Sequence, residues 1–208
     1  KMFFDRNEAG IKLAIALEKY KDQNVLVLAI PRGGVPVGYE VAKFLNADFS
    51  VIVSRKLPFP DNPEAGFGAI AEDGSIVILE GTKNWLEQSE IDKIIEQQKQ
   101  VVYERMTTLR KNKLLPDITN RTVILVDDGI AMGSTMTAAI MMCRNEQAGK
   151  VVVAVPVTGE RVKQEMADLA DEFIVLETPP NFKAVAQVYE NWHDLSDQEV
   201  INILIDLK

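Results

Sequence analysis

The chain has one cysteine and one histidine in 208 residues. Cys143 alone cannot close an intramolecular disulfide, and its setting in "TAAIMMC" marks it as a packing residue rather than a nucleophile. With His193 alone, a histidine-based triad or a multi-histidine zinc site has no residues to build on. No apolar run reaches the length of a membrane span, and the first residues hold no apolar stretch of the secretory kind. The expected location is therefore the cytoplasm. Basic residues are also in deficit: 23 Lys and Arg against 31 Asp and Glu give a net charge of −8. That balance disfavours nucleic-acid and membrane-surface partners and leaves room only for a local basic pocket. Internal repeats, low-complexity tracts and linkers are missing too, so residues 1–208 read as one domain. What remains is globular composition, 47% hydrophobic and 26% charged, enough to bury a core without covalent staples.

Six apolar runs recur along the chain: "VLVLAI" (25–30), "VIVS" (51–54), "IVIL" (76–79), "VILV" (123–126), "VVVAVPV" (151–157) and "FIVL" (173–176). They are continuous rather than alternating, which suits strands covered on both faces. Helical patterns lie between most of them. Asp5 with Glu8 starts a helix over about 6–20, and Ser196 with Glu199 starts the last one. The longest amphipathic stretch covers 87–112. Strands alternating with helices predict an α/β fold, an open and mostly parallel sheet with helices on both faces. One segment breaks the rhythm. "RKLPFPDNPEAGFG" (55–68) holds three prolines and two glycines, and reads as a long loop hinged near Gly66 and Gly68.

The chemistry is concentrated in "TVILVDDGIAMGST" (122–135). In open α/β sheets, ligands bind beyond the carboxyl ends of the strands, and Asp127 and Asp128 stand at such an end. The residues that follow, Gly129, Ile130, Ala131, Met132, Gly133, Ser134 and Thr135, lead into a helix. Glycines bring backbone N–H groups close to an anion, and the helix N-terminus adds partial positive charge. That half is a phosphate cradle. Ionised carboxylates accept hydrogen bonds only, which suits the vicinal hydroxyls of a ribose beside that phosphate. Neither the P-loop pattern nor the dinucleotide GxGxxG pattern is present.

This string resembles the signature for phosphoribosyl diphosphate (PRPP) of the type I phosphoribosyltransferases. The likeness extends to "DRNEAG", "IPRGGVPVGYEVA", "SRKLPFPDNPEAGFGAIAEDG" and "NFKAVAQVYENW", and is similar to an uncharacterised bacterial and archaeal subgroup. It implies the type I fold, with a small hood built from about 1–20 and 178–208 and a flexible lid over about 55–70. It implies that Asp127 and Asp128 meet the ribose hydroxyls, with Asp128 as the candidate general base, and that Gly129 to Thr135 hold the 5′-phosphate. Met132 departs from the pattern, since many members carry Thr there. Arg32, Gly33 and Gly34 in "PRGG", with Arg55 and Lys56, would hold pyrophosphate. Phe182 and Tyr189, near Trp192, are candidates for the acceptor pocket, although aromatic residues there serve equally as core. The implied reaction moves the phosphoribosyl group of PRPP to a nucleobase-like acceptor with Mg2+ and no direct protein ligand to the metal. A regulator that binds PRPP or a nucleotide without turnover is the alternative, and a magnesium-carboxylate phosphatase a more distant one. The acceptor and the oligomeric state, homodimer included, stay open at this level.

Overall fold

The apolar runs divide between two sheets. The computed structural model describes residues 1–207. In chain order it holds α1 (Arg6–Ala16), β1 (Leu26–Ala29), α2 (Gly34–Leu45), β2 (Asp48–Val51), β3 (Ser54–Phe59), β4 (Asn62–Ala71), β5 (Ile76–Ile78), α3 (Gln88–Arg110), β6 (Thr122–Val126), α4 (Ser134–Asn145), β7 (Lys150–Val157), α5 (Glu160–Leu169), β8 (Glu172–Glu177) and α6 (Asp197–Asp206). The main sheet has five parallel strands in the order β2-β1-β6-β7-β8. Its strands read as unbroken apolar runs because both faces are covered. In β6, Val123 and Leu125 join the core under α4 and α5, while Ile124 and Val126 join the core under α1 and α2. The expected fold, an open parallel α/β sheet with helices on both faces, is the fold found.

The capping residues expected at two helices act as caps. Asp5 accepts from the Glu8 N–H at 2.8 Å, and Ser196 and Glu199 bond reciprocally at 3.1 and 3.0 Å. Both arrangements satisfy N–H groups that a helix start leaves unpaired. The long helix α3 ends two residues earlier than predicted, at Arg110. Cys143 is fully buried, and burial pushes its thiol up to about 12, as its packing role requires. Among the described residues, no helix is long and apolar enough to cross a membrane.

The segment read as a long loop is a β-hairpin. Residues 54–71 form β3 and β4, which pair antiparallel, and β5 adds a third strand beside β4. The run "VIVS" is split, since Val51 ends β2 in the main sheet and Ser54 opens β3 in the small one. Prolines signal loops in isolation, and their positions here explain why strands tolerate them. Pro58 lies on the edge strand, where the register shifts, and Pro63 lies beyond the part of β4 that β5 covers. Gly68 is no hinge. It is paired on both sides, and a Cβ there would sit 2.0 Å from the Val77 carbonyl oxygen; glycine is needed for the close approach of backbones.

Helix α3 packs its apolar face on this small sheet through Ile91, Ile94 and Val102, against Leu57, Phe67 and Ile70. Arg110, at the end of α3, ties the small sheet to the main one. Arg110 donates to Glu72 at 2.9 Å and to the Val51 carbonyl at 3.0 Å, with both side chains nearly inaccessible. Burial raises the Glu72 carboxyl and Arg110 pulls it back down. The module 54–110 therefore packs beside the carboxyl ends of β1 and β6, joined to the main sheet through Val51.

Candidate functional site

In the strand order, β1 and β6 are neighbours whose following helices, α2 and α4, cover opposite faces. Loops diverge at such a switch point and leave a crevice between them. Here the loop after β1 is "PRGG" and the loop after β6 is "DDGIAMG", so the two motifs separated by nearly a hundred residues in sequence meet at one sheet edge. Their contact is tight. A Cβ on Gly33 would lie 2.2 Å from Asp128 Oδ2 and 3.4 Å from Arg6 Nη2, and one on Gly34 would lie 2.9 Å from the Val126 carbonyl oxygen. The Pro31–Arg32 peptide between them is cis.

The loop after β6 is held by one of its own side chains and by the end of β7. Asp127 Oδ1 accepts from the Asp128 N–H at 2.8 Å, Thr158 donates to the Ile130 carbonyl at 2.8 Å, and Ile130 N–H bonds Val157 at 3.1 Å. Gly133, at φ +94°, makes the turn into α4. Among the described residues, none of the N–H groups from Ala131 to Thr135 is bonded inside the chain. They are the free donors that a helix start offers to an anion. The hairpin module is pinned to this loop: Ser54 donates to the Thr135 carbonyl at 2.8 Å.

A cleft of about 580 Å3 opens between loop and hairpin, lined by Asp127, residues 129–136, Arg55, Lys56, Pro58, Pro63, Glu64 and Arg105. A recess of about 210 Å3 adjoins it and shares Arg55, Arg105 and Asp127 with it, adding Arg6, Arg32, Gly33, Asp128 and Asp194. Three guanidiniums, Arg32, Arg55 and Arg105, thus face one another across the recess. The consequence is electrostatic. Burial and the neighbouring Arg32 lower the affinity of Arg55 for its proton, and burial with Arg55 and Arg32 does the same to Arg105. Arg55 Nε is buried without a hydrogen-bond partner, an expensive state unless an anion arrives. Arg32 has one weak partner, Asp197 at 3.4 Å, and both are partly exposed.

A family model described as a phosphoribosyl transferase domain matches residues 7–191. The chain belongs to that family. Its relatives include two Mycobacterium tuberculosis proteins, one from strain CDC 1551 and one from strain H37Rv, each named "Putative phosphoribosyl transferase" and each 41% identical over 98% of this chain. The chain spans 46% of the length of those relatives, about half. Among solved structures, TT1426 of Thermus thermophilus is similar over 99% of both chains, with a TM-score of 0.82 and 34% identity. A hypoxanthine phosphoribosyltransferase of Staphylococcus aureus shares the fold at a TM-score of 0.53 and 10% identity, over 87% of this chain and 78% of its own.

Within this phosphoribosyl transferase domain the two acids are not equivalent. Asp128 is buried and its Oδ2 accepts from Arg6 Nε at 3.0 Å, while Asp127 is half-buried and lines both cavities. Burial first, and then the charge of Asp128, hold the Asp127 carboxyl well above its ordinary range. Burial raises Asp128 as well, with Arg6 opposing it. Asp128 is thus engaged by Arg6, and Asp127 is the more open of the two carboxylates.

Neither Phe182 nor Tyr189 lines the cleft or the recess. Tyr189 is fully enclosed: it packs on Phe3 at 5.6 Å and Trp192 at 5.2 Å, and its hydroxyl donates to the Asp128 carbonyl at 2.7 Å. Phe182 packs half-buried at the edge of that same aromatic cluster. Among the described residues, no aromatic ring lines the cleft or the recess. The two termini do come together, since Phe3 bridges Tyr189 and Glu190 N–H bonds the Phe3 carbonyl at 2.9 Å. Sequence reasoning missed Arg6 and Arg105. Arg105 sits among apolar residues of an amphipathic helix, and a lone cation on such a face was its only signal.

Proposed function

We propose that the chain transfers the phosphoribosyl group of PRPP to a nitrogenous, nucleobase-like acceptor and releases pyrophosphate. One observation carries this reading: three clustered arginines, with only a long ion pair from Arg32 to Asp197 to offset them, face an accessible carboxylate and a loop of free N–H groups across one continuous cleft. A ligand filling it needs two separated phosphates with a hydroxylated linker between them. PRPP has that form. The loop 129–135 takes the 5′-phosphate through backbone donors and the helix terminus. Asp127 accepts from the ribose hydroxyls. Arg32, Arg55 and Arg105 take the pyrophosphate, forked donors onto its oxygens, and stabilise the charge that grows there as the C1–oxygen bond breaks. Lys56 and the hairpin wall the cleft and limit the access of water to the cationic sugar.

Magnesium belongs to the same reading. Among the described residues no three His, Cys, Asp or Glu side chains gather to hold a metal, and Asp128 is engaged by Arg6. One open carboxylate suits an ion that takes most of its oxygens from substrate and water. When bound, the ion neutralises charge on the leaving group.

The test is pyrophosphate release from PRPP and magnesium across a panel of nucleobases. The regulatory alternative draws on the lack of an aromatic stacking face in the cleft; it predicts PRPP binding in calorimetry with no release for any acceptor. Arg105→Met should lower kcat/KM for PRPP by about 1.5–3 kcal/mol, the worth of a hydrogen bond to a charged group, or roughly one to two orders of magnitude. It should weaken binding of inorganic pyrophosphate in parallel. Unchanged pyrophosphate affinity would remove Arg105 from the site. Met132 lines the cleft and is 55% exposed. Met132→Thr adds a hydroxyl donor beside the phosphate and should tighten PRPP binding by about 0.5–1.5 kcal/mol, measured by calorimetry.

A further inference from the structure

We propose that Arg6, on the first turn of α1, is a positioning residue that sets the geometry of the acidic pair through Asp128. The inference rests on the PRPP reading and deepens it. Asp128 is gripped twice, both times from the chain's ends. Arg6 Nε donates to its carboxylate at 3.0 Å, and the Tyr189 hydroxyl donates to its carbonyl oxygen at 2.7 Å. The two grips are one assembly. Arg6 Nη1 donates to the His193 carbonyl at 2.8 Å, the Trp192 ring lies 3.9 Å from the guanidinium carbon, and Trp192 packs on Tyr189 at 5.2 Å. A closed circuit therefore runs from the Asp128 side chain through Arg6, Trp192 and Tyr189 back to the Asp128 main chain.

What the circuit fixes is the next residue. Asp127 Oδ1 accepts from the Asp128 N–H at 2.8 Å, so the orientation of Asp128 dictates where the accessible carboxylate points. Two adjacent carboxylates repel each other, and the guanidinium removes one of them from the cleft by pairing it. Asp127 is left to face the ribose alone. Lysine cannot substitute, because the role needs a planar fork with two directed donors and a face for Trp192. An ordinary structural ion pair would explain the contact between Arg6 and Asp128. It would not explain why the same guanidinium also closes the recess that holds Arg32, Arg55 and Arg105.

The experiment is a double-mutant cycle read in PRPP affinity by calorimetry with magnesium, on Arg6→Met, Asp128→Asn and the double variant, each checked for folding by thermal denaturation. If Arg6 acts through Asp128, Arg6→Met weakens binding about tenfold or more, and the double variant binds within about twofold of Asp128→Asn. Arg6→Lys should recover little. Multiplying effects would overturn the proposal, as would a folded Arg6→Met variant that is less stable yet binds PRPP like wild type. Should Arg6→Met alone fail to fold, the buried carboxylate left unpaired is the cause, and the double variant, which lacks that charge, is compared with Asp128→Asn directly. A double variant that also fails to fold makes Arg6 a structural residue and ends the proposal. Wild type that binds no PRPP sinks the functional reading and this one with it, whereas wild-type binding with multiplying effects sinks this one alone.

Discussion

Gly33→Ala is expected to lower the thermal midpoint sharply and to abolish PRPP binding, although it adds a single methyl group. The methyl would lie 2.2 Å from Asp128 Oδ2 and 3.4 Å from Arg6 Nη2. A flexible side chain could swing away from such a clash. Asp128 cannot, because Arg6 holds its carboxylate and Tyr189 holds its backbone. Relief must come by breaking the buried pair, at a cost of about 3–5 kcal/mol when one charge loses its partner, or by displacing the loop after β1 from the loop after β6. Either outcome separates the acidic pair from Arg32. Gly159→Ala is the control, since a Cβ there meets nothing closer than 3.8 Å, and its midpoint should fall only by the smaller cost of alanine at the N-cap of α5. Gly33→Ala with wild-type stability and wild-type PRPP affinity would mean that the two loops are not packed as described.

That prediction shows what the sequence could and could not carry. Asp127, Asp128 and the loop to Thr135 were legible because the chain delivers them consecutively: a strand, two acids, glycines and a helix start. The parallel sheet was legible for a similar reason, since strands buried on both faces keep no alternation. Arg6 and Arg105 were not legible. Each belongs to a helix whose local pattern is ordinary, and only the packing of α1 against β7 and β8, and of α3 on the hairpin, carries them to the sheet edge. The hairpin was misread because proline and glycine signal loops in isolation. Here Pro58 sits on the edge strand at a register shift, Pro60 in the turn and Pro63 on the stretch of β4 beyond β5, and Gly68 permits two backbones to touch. Tyr189 takes the core role that the sequence left open beside a stacking one. Its aromatic ring suits a stacking face, yet its hydroxyl supplies the one donor that the buried Asp128 carbonyl accepts, and burial in that role removes the ring from the cleft. In the same way the pairing of Asp128 with Arg6, invisible in the motif, makes the two acids unequal.

Asp127→Asn should separate binding from stability in opposite directions. In the ligand-free protein the Asp127 carboxyl is raised above its ordinary value of 3.8, by burial first and by the charge of Asp128 second. A carboxyl raised by folding binds more protons in the folded than in the unfolded chain, across the window from its unfolded value to its folded one. Stability therefore falls as pH rises through that window and stays lower above it. Asparagine carries no charge to desolvate or to repel Asp128, and its Oδ1 can still accept from the Asp128 N–H. The variant should thus melt above wild type at pH 7.5, and the difference should shrink to nothing as pH falls toward the ordinary carboxyl range. PRPP affinity moves the other way. On the proposed function the carboxylate would accept from two ribose hydroxyls, each bond to a charged group being worth about 1.5–3 kcal/mol, so binding should weaken by roughly two to four orders of magnitude. A gain in stability at pH 7.5 with a loss of binding identifies Asp127 as a group held in an unfavourable state that the ligand relieves. A midpoint difference that is negative, or that does not change with pH, would show that the carboxylate is not strained by its surroundings. Retained PRPP affinity would show that it does not meet the ribose.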